Sequence, residues 1–285
     1  MNNIMIIVHH EDDEILMTAG IIESAVRSNK RVTVVLATNG DYEGSDQISG
    51  SVRLPESLAG LRILGLSEEN VIFMGYADTG MDNSLSFLHG LFYETDPEKI
   101  HPGHCSLETY GMIEKPDFHT EKYGASAPYT RRNFKEDLRE IILSIRPDAI
   151  FTTSAEDVHG DHSGLFLFVK EILAEEAKEG YQPELFSGLV HSKAGDENWP
   201  LRNKKLEEFT CPDQIHMGLL KWEERISFLV PDDMQENDLT KNRKAIALSQ
   251  HKNALKDDAV EFLYSFVKAD EVFWKITEME KSYGI

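Results

Sequence analysis

Residues 4–8 read Ile-Met-Ile-Ile-Val and residues 31–38 read Arg-Val-Thr-Val-Val-Leu-Ala-Thr. A strand that is apolar at every position belongs inside a parallel sheet, with helices covering both faces. Between the two runs, Ile15, Leu16, Ala19, Ile22 and Val26 recur at helical spacing. Strand, helix and strand within about 35 residues form a βαβ unit. The pattern then repeats. A helix is expected over 55–66, stopped near Gly65, followed by a short strand at 71–74. Phe134, Leu138, Ile141, Ile142 and Ile145 mark an amphipathic helix that Pro147 ends, and 148–154 is a third long strand. A helix over 164–178 and a strand over 185–191 follow. The expected class is α/β, a Rossmann-like doubly wound, mostly parallel sheet with helices on both faces.

We read residues 1–285 as one domain with two irregular parts. Residues 82–129 show no sustained period, which is unusual for a compact domain and suggests an insertion with structure of its own, or a lid. From about 196 the chain is an extension with a loop at Pro200, a helix over 240–255 and a mixed segment over 260–277. The net charge of −21, from 50 acidic and 29 basic residues, disfavours a nucleic-acid partner, which needs Lys and Arg against phosphates. It disfavours anionic lipid for the same reason. No apolar run reaches the roughly 18 residues a membrane span requires. Cys105 and Cys211 match no thiolate metal spacing and read as reduced thiols. With no basic leader before the first strand, a cytoplasmic location is expected. A homo-oligomer is neither favoured nor excluded.

Two strand ends concentrate metal-type ligands. His9-His10-Glu11-Asp12-Asp13-Glu14 follows the first strand, and Glu156-Asp157-Val158-His159-Gly160-Asp161-His162 follows the third. Each has an ordinary reading: the acids as a helix cap and first turn, the His-Gly-Asp-His as a solvated loop. In open parallel sheets, however, ligands bind beyond the carboxyl ends of the strands. Together the two ends supply two His and one Asp, the protein ligand count of a catalytic zinc site. No G-x-G-x-x-G follows the first strand, so a dinucleotide site is disfavoured.

His10-Glu11-Asp12-Asp13-Glu14 resembles the His-Pro-Asp-Asp-Glu signature of the LmbE/PIG-L family of zinc-dependent N-acetylglucosaminyl de-N-acetylases. His159-Gly160-Asp161-His162 is similar to that family's His-x-Asp-His signature. Between them, Thr38-Asn39-Gly40, Arg53-x-x-Glu56 with Leu64-Gly65, and Phe73-Met74-Gly75-Tyr76-Ala77-Asp78 resemble further family stretches in the same order. The resemblance spans about 1–80 and 130–195. It implies that His10, Asp13 and His162 hold zinc (Fe²⁺ would suit the same ligands) and that His9 stands aside. It implies Asp12 as general base, His159 as the group facing the amide oxygen, and Asp161 as the carboxylate orienting His159. Arg53 and Asp78 are the implied contacts to an amino-sugar substrate. The implied reaction is removal of an N-acetyl group from a GlcNAc-containing small molecule or glycoconjugate. The alternative is an inactive or regulatory sugar-binding protein on the same fold, against which the intact Asp12 and His159 count.

The sequence departs from the family pattern at Glu11, where proline is usual, and at Gly160, where proline is common. Asp157 stands where some relatives carry a mobile tyrosine, so Tyr42 or Tyr129 would have to do that residue's work. His101, His104 and His119 read as surface or rim histidines. Trp199, Trp222 and Trp274 read as core or interface.

Overall fold

The computed structural model describes residues 1–82, 84–202, 205–211, 220–256 and 259–277. In chain order the elements are β1 (Asn3–Val8), α1 (Asp13–Arg27), β2 (Arg31–Thr38), α2 (Gln47–Gly50), α3 (Leu54–Ile63), β3 (Val71–Tyr76), α4 (Phe87–Tyr93) and α5 (Phe118–Tyr123). They continue with α6 (Arg131–Ile145), β4 (Ala149–Thr152), α7 (Gly160–Lys178), β5 (Glu184–Ser187), β6 (Arg225–Leu229), α8 (Arg243–Leu248), α9 (Ala259–Tyr264) and β7 (Asp270–Ile276).

The strands form one seven-stranded sheet in the order β3-β2-β1-β4-β5-β7-β6. The first five strands in that order are parallel. β7 runs antiparallel to both β5 and β6. Alternate β1 side chains go to opposite faces, as a pleated strand requires. Ile4, Ile6 and Val8 join α1, α3 and α8 in one core, and Met5 and Ile7 join α4, α6 and α7 in the other. The doubly wound arrangement follows from that two-sided burial.

Four elements differ most from the sequence reading. β6 and β7 occupy the C-terminal third, where a strand pattern was not legible. β7 begins with Asp270 and Glu271, each 1% exposed, and such charged residues look like a loop until their partners are known. Helix α8 is shorter than the 240–255 expected. Helix α7 starts at Gly160 rather than near 164 because His159, an atypical cap, closes its first turn by accepting from the Asp161 amide. Gly65, at φ +85°, ends the turn after α3 as expected. Within 82–129, α4 packs along α7, and Glu108 bridges to Pro128.

A buried ion pair holds the C-terminal strands to α1. Lys244 Nζ lies 2.9 Å from Glu271 Oε1 and donates to the Leu16 carbonyl at 2.8 Å. Glu271 accepts from the Gly20 and Ile21 amides. Removing one partner strands a buried charge, so Lys244→Ala is expected to lower unfolding free energy by about 3–5 kcal/mol. In urea titrations the double change Lys244→Met with Glu271→Leu should recover much of that loss, since no lone charge remains.

Candidate metal centre

The strand order reverses between β1 and β4, which makes their carboxyl ends the crevice of the sheet. Ile7 pairs with Thr152 in register, so the residues after Val8 and after Thr152 emerge side by side. His9 prolongs β1, its carbonyl accepting from Thr38. Thr153 Oγ1 donates to the His162 carbonyl at 2.8 Å and ties the first turn of α7 to β4. Asp12 occupies the N-cap position of α1 yet makes no side-chain cap bond, and its backbone sits at φ 154°, ψ −29°, an uncommon conformation for a non-glycine residue. Its carboxylate is thus not spent on the helix end.

Three donor atoms converge. His10 Nδ1 lies 3.1 Å from His162 Nε2 and 3.8 Å from Asp13 Oδ2, and His162 Nε2 lies 3.3 Å from Asp13 Oδ2. Bonds of about 2.0–2.2 Å in tetrahedral geometry separate ligand atoms by roughly 3.3–3.6 Å. The tautomers favour a cation as well. His10 Nε2 faces Asp78 Oδ1 at 3.1 Å, and His162 Nδ1 faces Asp157 Oδ2 at 3.2 Å. In the neutral forms, protons kept on those sides leave both converging nitrogens as lone pairs beside a carboxylate, the state that would bind a cation. Burial opposes charging His162, but Asp13 and Asp157 outweigh it and hold its pKa well above that of free imidazole. Positive charge is favoured at that point, and a divalent ion fits the donor set.

The carboxylates behind the cluster are distributed differently from the sequence reading. Asp161 was expected to orient His159. Its Oδ1 instead accepts from Ser86 Oγ and the Leu88 amide, and its Oδ2 lies 3.5 Å from His9 Nε2. The reason is α4, whose start packs on α7 and takes that carboxylate; only the Asp161 amide reaches His159 Nδ1, at 3.3 Å. Asp78 borders the smaller of two clefts, but its Oδ1 turns to His10. His9 is fully buried, and among the described residues neither ring nitrogen has a hydrogen-bond partner. It also lies in the same buried group as His10, Asp13 and His162.

Arg53 grips the loop after β1. Its Nη2 donates to the Glu11 carbonyl at 2.6 Å and lies 3.3 Å from Asp12 Oδ2. The Glu11 side chain is fully buried beneath it, with Oε2 3.9 Å from Arg53 Nε. Gly40, at φ +59°, leaves the space: a Cβ there would fall 2.2 Å from Glu11 Oε2 and 2.9 Å from Arg53 Cδ.

Sequence reasoning named Asp157 only as a departure from the family pattern and gave it no role. Oδ1 accepts from the His159 amide, and Oδ2 accepts from the Val190 and His191 amides while facing His162. One carboxylate therefore fixes the His162 ring and joins the loops after β4 and β5. An Asp two residues before a His, accepting from that residue's amide, is an Asx-type turn and was the available signal. Outer carboxylates of this kind typically carry 10–100-fold in metal affinity. If the converging donors hold a metal, Asp157→Ala is expected to weaken its binding by about that factor in a chelator competition, and Asp157→Asn by less because an acceptor oxygen is kept.

Two clefts meet at His10 and Arg53. One, of about 780 Å³, also exposes Asp12, Asp13 and His191; the other, of about 600 Å³, exposes His159, Asp78 and Tyr42. Burial, aided by His162 and His191, pushes the His159 pKa down to about 3. With Nδ1 accepting from Asp161, the neutral ring keeps its proton on Nε2. Burial lifts the Asp12 carboxyl to about 7 against the pull of Arg53. Tyr129 is fully buried, whereas Tyr42 is exposed on the smaller cleft. His101 faces Glu94, His104 meets the Tyr42 ring and His119 faces Asp137. Trp199 and Trp274 are buried in the core, with Trp222 packed against it.

The family model described as PIG-L, GlcNAc-PI de-N-acetylase, matches residues 5–173. The chain belongs to the PIG-L family. That span holds β1 to the first part of α7, and with them all three converging donors. A search of curated proteins finds no match. Among solved structures, the PIG-L chain is similar to the N,N'-diacetylchitobiose deacetylase from Pyrococcus horikoshii, at 15% identity over 96% of this chain and 84% of that one, TM-score 0.52. It is similar to the zinc-inhibited form of teicoplanin deacetylase Orf2 at 13% identity over 98% and 99%, TM-score 0.54. It is similar also to GalB, the 4-carboxy-2-hydroxymuconate hydratase from Pseudomonas putida KT2440, at 12% identity over 100% of both chains, TM-score 0.52. Identities this low establish the shared fold, and a fold hosts more than one chemistry. Among the described residues, no helix is long and apolar enough to cross a membrane.

Proposed function

We propose that this PIG-L chain is a metal-dependent N-deacetylase, a single domain that removes the acetyl group from a GlcNAc-containing small molecule or glycoconjugate. The observation that carries the reading is the convergence of His10 Nδ1, Asp13 Oδ2 and His162 Nε2, with Asp12 and His159 on the two clefts beside them. These three would hold the ion, Zn²⁺ by preference, with Fe²⁺ compatible with the same ligands. When bound, such an ion supplies Lewis acidity and lowers the pKa of water to about 7.

The side chains divide the remaining work. Asp12 takes a proton from water as it attacks the amide carbon, and returns it to nitrogen as the C–N bond breaks. A base that ionises near neutrality suits both transfers. His159 presents Nε2–H to the carbonyl oxygen as charge develops there. Arg53 holds Asp12 in place and faces both clefts, where it contacts sugar hydroxyls. Asp78 and Asp157 keep the two ligand imidazoles oriented. The products are acetate and a free amine.

The test is acetate release from a panel of GlcNAc derivatives by zinc-loaded protein, with metal content measured on the same samples. Acetate formed in proportion to bound metal supports the reading. Absence of release from every derivative, or full activity in protein stripped of metal, overturns it.

A further inference from the structure

One imidazole on the wall of the larger cleft belongs to neither sequence signature. His191 follows β5 and is held from several sides. Its amide donates to Asp157 Oδ2 at 3.1 Å, and its carbonyl accepts from the Val158 amide. Its ring stacks on Phe262, centroids 5.1 Å apart and planes 17° apart. Its Nδ1 lies 3.1 Å from Asp196 Oδ1. His191 lines the cleft together with His10, Asp12 and Asp13, and with Nδ1 engaged by Asp196, Nε2 is the ring nitrogen that remains for a ligand. The ring centroid is 5.6 Å from that of His162 and 5.8 Å from that of His159.

Charge indicates which part of a substrate comes to this wall. Asp196, Glu197 and Glu261 rim the larger cleft, with Arg202 paired to Glu261. Such a rim repels acetate and attracts an amine and its neighbouring hydroxyls. The smaller cleft shares Arg53 with the larger one and sets Lys256 against Glu43 and Asp78, so it lacks that acidic excess and is the better setting for the acyl oxygen and the acetate product. An imidazole fixed by a carboxylate and an aromatic face loses little freedom on binding, which favours it as a specificity contact.

We propose that His191 is a substrate-contacting residue, its Nε2 hydrogen-bonding the amino-sugar portion next to the scissile bond. This rests on the deacetylase reading for the chemistry, but its own test does not need turnover. In zinc-loaded protein with labelled histidine, glucosamine should shift the His191 ring nitrogen resonances and acetate should leave them unchanged. A shift caused by acetate, or by neither ligand, overturns the proposal; lack of acetate release from GlcNAc compounds overturns the deacetylase reading instead. Three variants separate contact from scaffolding. Gln brings an amide nitrogen near the place of Nε2, Asn restores only the Asp196 side, and Phe keeps the stack on Phe262. His191→Asn and His191→Phe should weaken glucosamine binding by about 10-fold or more, as the loss of a buried polar contact does. His191→Gln should stay closer to the native protein, with zinc stoichiometry equal in all three. Equal behaviour of Asn and Gln, or native-like affinity in Phe, would refute it.

Discussion

Under the deacetylase reading proposed above, purified His162→Ala protein is expected to carry less than about a tenth of the native zinc and to release acetate at background rate, because an open catalytic site has only three protein ligands to lose. His162 is fully buried, and its Nε2 sits within 3.3 Å of both other donor atoms. His9 lies in the same buried group, and among the described residues its ring nitrogens have no hydrogen-bond partner, so it could stand in for the lost ligand. The double variant His9→Ala with His162→Ala therefore belongs beside the single one. Metal content by mass spectrometry and acetate release should fall together in both. Loss of activity with native zinc content would show that His162 serves the reaction by another route.

Asp12→Asn should give the complementary result. Asparagine keeps the size of the side chain and its place against Arg53 but cannot accept the proton of the attacking water. General-base catalysis contributes about 10²–10⁴-fold, so kcat should fall by that factor. Zinc stoichiometry should stay native, because Asp12 is not among the three converging donors. The measurement is steady-state kinetics on metal-quantified protein. A fall of less than tenfold would remove Asp12 from the proton-transfer role, and a parallel fall in zinc would move it into the ligand set.

The parallel sheet and the pairing of its two ligand-rich ends could be read from residue order alone. Ile4 to Val8 is apolar at every position, so it had to be a central strand. The strand–helix alternation then required His10 to Asp13 and His159 to His162 to leave the sheet at one edge. Local polarity could not reveal β6 and β7, because Glu271 becomes a core residue only through Lys244, 27 positions away. Nor could it separate Asp157 from its acidic neighbours or give His191 a use. What distinguishes these residues is the set of backbone amides and rings they meet after folding.

The stretch that follows β1 shows the division most clearly. Its sequence determined that imidazoles and carboxylates would crowd one strand end. Tertiary structure decided what each one does. Asp13 turns to His10 and His162, and Asp12 is drawn toward Arg53. Glu11 goes beneath that guanidinium in the space Gly40 leaves, and His9 is sealed beside Asp161. Residue type sets which bonds a side chain can make, but burial and neighbours drawn from distant segments set which bonds it does make.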